Sequence, residues 1–182
     1  MGTVTTLPRG RAYTRQDLAT MPDDGRRYEL VDGTLIVTPA PSRRHQQALL
    51  RLTLLLAERC PEHLELLFAP FDVTLAADTV LQPDLLIAAK DQFTERDLPI
   101  VPLLVVEILS PSTRHIDLSL KHARYEAGGC PSYWVIDPDE PSITVWELER
   151  GAYVERVHLV GDQDSTVTAP YAVSLNPARL RD

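Results

Sequence analysis

Gln82-Pro83-Asp84-Leu85-Leu86-Ile87 and Leu103-Leu104-Val105-Val106-Glu107-Ile108 are two short runs that each set one carboxylate among apolar residues. Apolar runs of this length, bounded by proline and polar residues, are typical of strands in a sheet covered on both faces. A carboxylate on such a strand is costly to bury unless it is paired, hydrogen-bonded or bound to a metal. Because Asp84 begins its strand and Glu107 lies near the end of the next, neighbouring strands could bring the two acids together. The two runs therefore predict a functional site on the sheet.

A lysine follows the second run at short range. After the polar loop Ser110-Pro111-Ser112-Thr113, the pattern predicts a helix from about Ile116 to Ala127, which carries Lys121 and ends at Gly128-Gly129. Two acids and a lysine beside one sheet are compatible with a divalent-metal site that also offers a cation to a phosphate. A surface pair between Asp117 and Lys121 is the alternative interpretation.

The predicted helix has two faces. Arg114, Asp117, Lys121 and Tyr125 recur at spacings of three and four, so they share one face, which we expect to look toward the site. The opposite face, with Ile116, Leu120 and Ala127, is expected to cover the core. On this interpretation Lys121→Ala removes activity and leaves the melting temperature nearly unchanged.

Two further candidates lie upstream. Asp32-Gly33 between two β-rich runs predicts a hairpin over residues 27–38, and Glu29 lies on its first strand, either facing solvent or at the site. Ser42 is a good N-cap for a long helix that ends near Arg59. His45 falls on the apolar stripe of that helix, either as a satisfied core residue or as a ligand.

Composition bounds the class of protein. At 182 residues with 44% hydrophobic and 24% charged residues, the chain fits one globular domain. No apolar run reaches the roughly 18 residues that a membrane span needs, and residues 1–11 lack an apolar signal core, so we expect a cytoplasmic protein with no membrane partner. Cys60 and Cys130 show no metal-ligand spacing and are expected to be reduced and buried. The formal charge of −8 opposes indiscriminate coating of nucleic acid.

The order of predicted elements resembles the core of the PD-(D/E)-x-K nucleases. More narrowly, the chain resembles the Uma-two family, whose members are described as putative restriction endonucleases. The matching segments are Tyr28-Glu29-Leu30-Val31-Asp32-Gly33, Pro39-Ala40-Pro41-Ser42 with His45, Gln82-Pro83-Asp84, Val106-Glu107-Ile108-Leu109-Ser110-Pro111-Ser112-Thr113, Asp117 with Lys121 and Tyr125, and Gly129 with Tyr133-Trp134-Val135-Ile136-Asp137-Pro138.

The resemblance implies a fold and its boundaries. We expect an α/β, restriction-endonuclease-like fold over residues 1–182, with a central mixed β-sheet flanked by helices. The nuclease core would occupy about residues 42–137, preceded by an N-terminal helix and β-hairpin over residues 13–39. C-terminal strands would follow over residues 143–157.

The resemblance also implies roles. Asp84 and Glu107 would be the metal ligands and Lys121 the catalytic lysine, with Glu29, His45 and Asp117 as candidate supporting residues. The usual superfamily lysine stands two residues after the acid, where this sequence has Leu109, so Lys121 on the following helix would replace it. The implied cofactor is Mg²⁺, with Mn²⁺ as a substitute.

The expected function is therefore metal-dependent endonuclease cleavage, with DNA as the expected substrate. The alternative is an inactive binding or interaction module that kept the nuclease fold. Cutting two strands favours a homodimer, for which the Tyr28–Val37 hairpin and the late strands are candidate contact surfaces. The sequence contains no P-loop and no GxGxxG motif, and Ser110 and Ser112 lack the glycines of a nucleophile elbow.

Overall fold

The computed structural model of the protein describes residues 5–7 and 10–181. Within them, the strands are β1 (Thr5–Leu7), β2 (Arg27–Val31), β3 (Thr34–Thr38), β4 (Leu64–Phe68), β5 (Asp72–Ala76), β6 (Thr79–Leu81), β7 (Leu85–Ala89), β8 (Asp97–Leu98), β9 (Leu104–Ile108), β10 (Ser132–Asp137), β11 (Ser142–Glu149), β12 (Ala152–Val160), β13 (Ser165–Val167) and β14 (Val173–Leu175). The helices are α1 (Arg15–Leu18), α2 (Arg43–Ala57), α3 (Arg114–Ile116) and α4 (His122–Gly128). A π-helical turn, Asp117–Lys121, joins α3 to α4, and 3₁₀ turns cover Lys90–Gln92 and Ala178–Leu180.

Two six-stranded sheets form the scaffold. The first has the order β1-β3-β2-β6-β5-β8 and the second β12-β11-β10-β9-β7-β4, while β13 and β14 pair as a separate hairpin. Neighbours are antiparallel except for β5 with β8 and β9 with β10, which are parallel. The second of these sheets is the mixed sheet that the sequence predicts. The N-terminal hairpin β2–β3 does not stand alone, because it belongs to the first six-stranded sheet.

Alternate residues of the central strands enter two different apolar layers, as the period of two in a strand requires. One face of β7 and β9 packs in the layer that contains the buried side of α2. The other face packs in the layer that contains residues of the β2–β3 hairpin and Tyr125 of α4. Both faces are thus covered, which confirms the interpretation of the two apolar runs as buried strands.

Helix α2 begins at the predicted position, since the Ser42 side chain accepts a hydrogen bond from the His45 amide at 3.3 Å. Its buried residues recur at helical spacing and form the stripe that packs on the second sheet: His45, Ala48, Leu49, Leu52 and Leu56.

Residues 114–128, here termed the composite helix (α3, the π turn and α4), turn the predicted face with Asp117 and Lys121 toward the cavity, as expected. The polar face is buried, with Asp117 and Lys121 at 2% and 3% exposure. Leu120, predicted to cover the core, is 45% exposed, and Ala127 is exposed too. The prediction for the apolar face was wrong for Leu120 and Ala127, whereas Ile116 packs against the core as predicted.

Other local predictions have mixed outcomes. The hairpin over residues 27–38 is confirmed, but it is largely buried, so it is not a free contact surface for a second copy. The polar segment of residues 90–99, for which the sequence predicts an exposed loop or short helix, instead contains the buried strand β8. Both cysteines are free; Cys130 is buried and Cys60 is partly exposed. No helix in the described part of the chain has the length and apolar character needed to cross a membrane.

Candidate active site

Asp84 and Glu107 lie opposite each other on neighbouring antiparallel strands. Leu85 pairs with Val106, which places Asp84, one residue before β7, across from Glu107 in β9. Side chains that face each other across such a pair lie on the same side of the sheet. Both line one cavity of about 540 Å³, and they are 2% and 1% exposed. The sequence prediction that the two acids share a cavity is confirmed.

Lys121 is fixed inside the same cavity by three carboxylates. Its Nζ lies 2.9 Å from Glu29 Oε1, 3.1 Å from Glu107 Oε1 and 3.7 Å from Asp117 Oδ1. Burial acts to lower the pKa of Lys121, but these three acids outweigh it and raise that pKa above its ordinary value. Lys121 is therefore a permanent cation and not a proton acceptor.

The acids around Lys121 are under opposing influences. Burial raises the pKa of Glu107 well above its ordinary value, although the Lys121 charge acts in the other direction. Burial likewise raises the pKa of Asp117 to about 6, against the charge of Lys121 and a hydrogen bond from Thr113. Glu29 Oε1 also accepts a hydrogen bond from the Gln82 backbone N–H at 2.8 Å, whereas Glu29 Oε2 is buried with no hydrogen-bond partner among the described residues.

Asp84 is held in the ionised form by its neighbours. Its Oδ1 accepts a hydrogen bond from Arg27 Nη2 at 3.0 Å, and its Oδ2 lies 3.0 Å from His45 Nε2 and accepts the Ile108 amide at 2.8 Å. Burial alone would raise the pKa of Asp84, but the His45 hydrogen bond and the Arg27 charge lower it below the ordinary value. His45 is thus neither an isolated core residue nor exposed; it orients Asp84.

The π-helical turn places Asp117 and Lys121 on the side of the helix that faces the cavity. Single π turns inside α-helices occur frequently at functional sites. The Tyr133 hydroxyl, which comes from β10, donates to the Asp117 carbonyl oxygen at 2.8 Å and is buried. This hydrogen bond links the turn to the sheet and so helps to set the position of Lys121.

Hydroxyl groups line the cavity beside the charged cluster. Ser110 Oγ lies 3.0 Å from Ser112 Oγ and 2.9 Å from Thr113 Oγ1, and all three residues line the cavity. On another wall, Thr38 Oγ1 is buried without a partner. The cavity therefore presents neutral hydrogen-bonding groups as well as charges.

The donor set fits a hard divalent cation. Four carboxyl groups face two fixed cations, Lys121 and Arg27, and one buried carboxylate oxygen, Glu29 Oε2, lacks a partner. Mg²⁺ uses one or two carboxylates and completes its shell with waters and phosphate oxygens. Among the described residues, no group of three or more His, Cys, Asp or Glu side chains is placed to hold a metal.

Sequence reasoning missed Arg27. The residue lies two positions before Glu29 on β2, so both side chains point to the same face of the strand. Because Glu29 was already a supporting candidate, the period of two along the strand was the signal that could have added Arg27.

Comparisons with known proteins agree with this geometry. A family model described as "Uma2: Putative restriction endonuclease" matches residues 15–178. A solved structure described as a putative nuclease belonging to DUF820 from Anabaena variabilis ATCC 29413 matches with a TM-score of 0.69. The match covers 92% of this chain and 96% of that chain at 19% identity, so the likeness concerns the fold. Comparison with curated proteins gave no match.

Proposed function

Because the chain belongs to the Uma2 family of putative restriction endonucleases, we propose that it is a metal-dependent endonuclease that hydrolyses phosphodiester bonds in DNA. Its mixed α/β fold is consistent with the restriction-endonuclease-like class. The observation that carries the proposal is the pair Asp84 and Glu107, which face each other in one cavity beside the protonated Lys121.

Asp84 and Glu107 would hold Mg²⁺, or Mn²⁺ in its place, with Glu29 close enough to Lys121 and Glu107 to assist. When bound, the metal supplies Lewis acidity toward the phosphate and lowers the pKa of a water molecule toward neutrality. Asp84 can serve as a metal ligand because its Oδ1 accepts one hydrogen bond, from Arg27, and keeps a further lone pair for the metal.

The remaining side chains of the cluster would position charge. Lys121 offers an ammonium group to the negative charge that develops on the phosphate, while Glu29 and Asp117 hold that ammonium in place. His45 and Arg27 fix the orientation of Asp84. None of these groups needs to move far, because each is at least partly buried and already hydrogen-bonded or ion-paired before substrate arrives.

A cleavage assay on supercoiled plasmid tests the proposal. We expect nicking with Mg²⁺ or Mn²⁺, none with EDTA, and none from Asp84→Asn or Glu107→Gln. Asp91→Asn and Glu95→Gln make the same chemical changes at exposed positions outside the cavity and should cleave as the parent does. If the cavity variants cleave normally, these acids do not carry the reaction.

A binding module that has lost turnover is the second candidate, and one observation favours it. Lys121 is 3% exposed and already engaged by three carboxylates, so a phosphate would have to compete for it. DNA binding without cleavage under any of the metals would support this alternative over the enzyme.

We also propose that the protein acts as a homodimer, since two sites related by a two-fold axis can each cut one strand. With the β2–β3 hairpin buried, the exposed apolar residues available for contact include Val154 and Val160 on β12 and Leu118 and Leu120 on the composite helix. Light scattering at micromolar concentration tests this proposal. A monomeric mass would refute the homodimer and leave cleavage of one strand at a time.

A further inference from the structure

A second cavity of about 640 Å³ adjoins the proposed active site. The two cavities share Arg27 and the segment Pro39-Ala40-Pro41 in their walls, so this segment forms the ridge between them. We call the second cavity the arginine groove, after Arg15, Arg26, Arg27 and Arg96, which line it. Any extended ligand that leaves the first cavity across the ridge would enter this groove.

The groove gathers four arginines in an acidic protein, although three of them are paired with aspartates outside its lining. Four arginines and two aspartates line it, whereas the whole chain has a formal charge of −8. Arg15 and Arg26 are paired with Asp97 and Asp24, yet their side chains remain 50% and 64% exposed. A guanidinium has five N–H donors, so these pairs leave donors free for a phosphate.

Flat and apolar side chains lie between the arginines. Tyr28 and Met21 line the groove together with prolines at positions 22, 39, 41 and 70. Proteins that bind single-stranded nucleic acid combine a basic path for the backbone with aromatic rings on which the bases stack. The arginine groove has both components, and Tyr28 is the ring available for stacking.

The depth of the catalytic cluster limits which nucleic acid fits. Asp84, Glu107 and Lys121 are only 1–3% exposed, so a scissile phosphate must enter the cavity to reach them. A DNA duplex is stiff over about 150 base pairs, so its backbone does not bend into a narrow recess as a single strand does. A flexible single strand can bend into the cavity and continue across the ridge.

On the basis of the proposed nuclease function, we infer that the DNA strand to be cut is unpaired where it enters the active-site cavity and that its backbone runs from there along the arginine groove. Arg26 and Arg96 contact its phosphates, and Tyr28 stacks on one of its bases. The net charge of −8 on the chain opposes nonspecific binding of duplex DNA to the rest of the surface.

Fluorescence anisotropy of the whole chain tests this with a labelled oligothymidylate of about 20 nucleotides and the matching duplex. Titrations are run in EDTA and again with Ca²⁺, so that binding is measured without relying on cleavage. We expect the single strand to bind at least about tenfold tighter than the duplex. Equal or tighter duplex binding, or no binding of the single strand under either condition, overturns the inference.

Two matched double variants locate the binding path. Arg26→Ala with Arg96→Ala removes two charges from the groove, while Arg59→Ala with Arg179→Ala removes two exposed arginines that line neither cavity. The groove variant should reduce the salt dependence of single-strand binding, the slope of log K against log[salt], by about 1.4, whereas the control should leave it unchanged. Equal slopes for the two variants refute the groove.

Tyr28 supplies an independent readout. Tyr28→Phe keeps the ring and should bind like the parent, whereas Tyr28→Ala should weaken single-strand binding by roughly tenfold or more. Equal weakening by both variants, or by neither, contradicts stacking. If the protein binds single strands through the groove but never cleaves, the proposed nuclease function is refuted and this inference stands. If the protein cleaves but the groove variant binds single strands as the parent does, the inference is refuted and the nuclease function stands.

Discussion

Lys121→Ala should destabilise the fold as well as abolish cleavage. The substitution leaves Glu29, Glu107 and Asp117 buried without the cation that lies 2.9–3.7 Å from them. Removing one partner of a buried ion pair costs about 3–5 kcal/mol. In a chain of this size each kcal/mol lowers the melting temperature by about 2–4 °C, so the expected loss is about 6–20 °C. The sequence alone predicted almost no change, which the burial of Lys121 makes untenable.

The stability lost on Lys121→Ala should depend on pH. The pKa of Asp117 is raised to about 6 in the folded chain, and that of Glu107 is raised too. The folded state therefore binds more protons than the unfolded state between about pH 4 and 6, and stability falls as pH rises through this window. Without Lys121 the pKa values of Asp117 and Glu107 rise further, so stability falls more steeply with pH in the variant than in the parent. The stability lost on Lys121→Ala should therefore be small near pH 5 and largest near pH 8.

Thermal melts of the metal-free protein at these two pH values measure the effect. Lys90→Ala is the matched control, since Lys90 is the other lysine of the chain and is exposed. Lys121→Arg should also cleave poorly, because the guanidinium is larger and differently shaped. A Lys121→Ala protein that melts with the parent near pH 8 refutes the buried ion network, and one that cleaves at the parent's rate refutes a chemical role for Lys121.

Three further perturbations follow from the site. Glu107→Gln removes a buried acid of raised pKa, so the metal-free protein should melt no lower than the parent near pH 8 while the Mg²⁺-induced rise in melting temperature disappears; a retained rise contradicts its role as ligand. Asp117→Asn should flatten the fall of stability with pH between about pH 4 and 6, and an unchanged pH profile would place the titration elsewhere. Tyr133→Phe deletes the 2.8 Å hydrogen bond to the Asp117 carbonyl and should cost about 1–3 kcal/mol in chemical denaturation and slow cleavage; a variant with unchanged stability and rate argues against a positioning role.

The strand pattern was enough to predict where the two acids meet. Asp84 and Glu107 each interrupt an apolar run, and the sheet register brings them face to face. The hairpin at Asp32-Gly33 and the Ser42 cap were also predictable, because both depend on short-range backbone preferences.

The exposure of Leu120 on the composite helix was not predictable in the same way. Apolar patterning assigns Leu120 to the core, yet Leu120 is 45% exposed and Lys121 is buried. Lys121 forms ion pairs with Glu29 and Glu107, which are distant in sequence, and these pairs hold its side of the helix inward. A helical-wheel argument contains no information about such partners, and a π turn alters the spacing on which it depends.

The central claim, that Asp84 and Glu107 hold one metal ion, is tested most directly by a crystal structure with Mn²⁺ soaked in and its anomalous signal measured. We predict one strong peak in the cavity, with ligand oxygens of both carboxylates about 2.0–2.2 Å away and the Lys121 ammonium still beside Glu107. A peak that contacts neither acid, or a cavity without a peak in crystals that bind Mn²⁺ elsewhere, would contradict the claim.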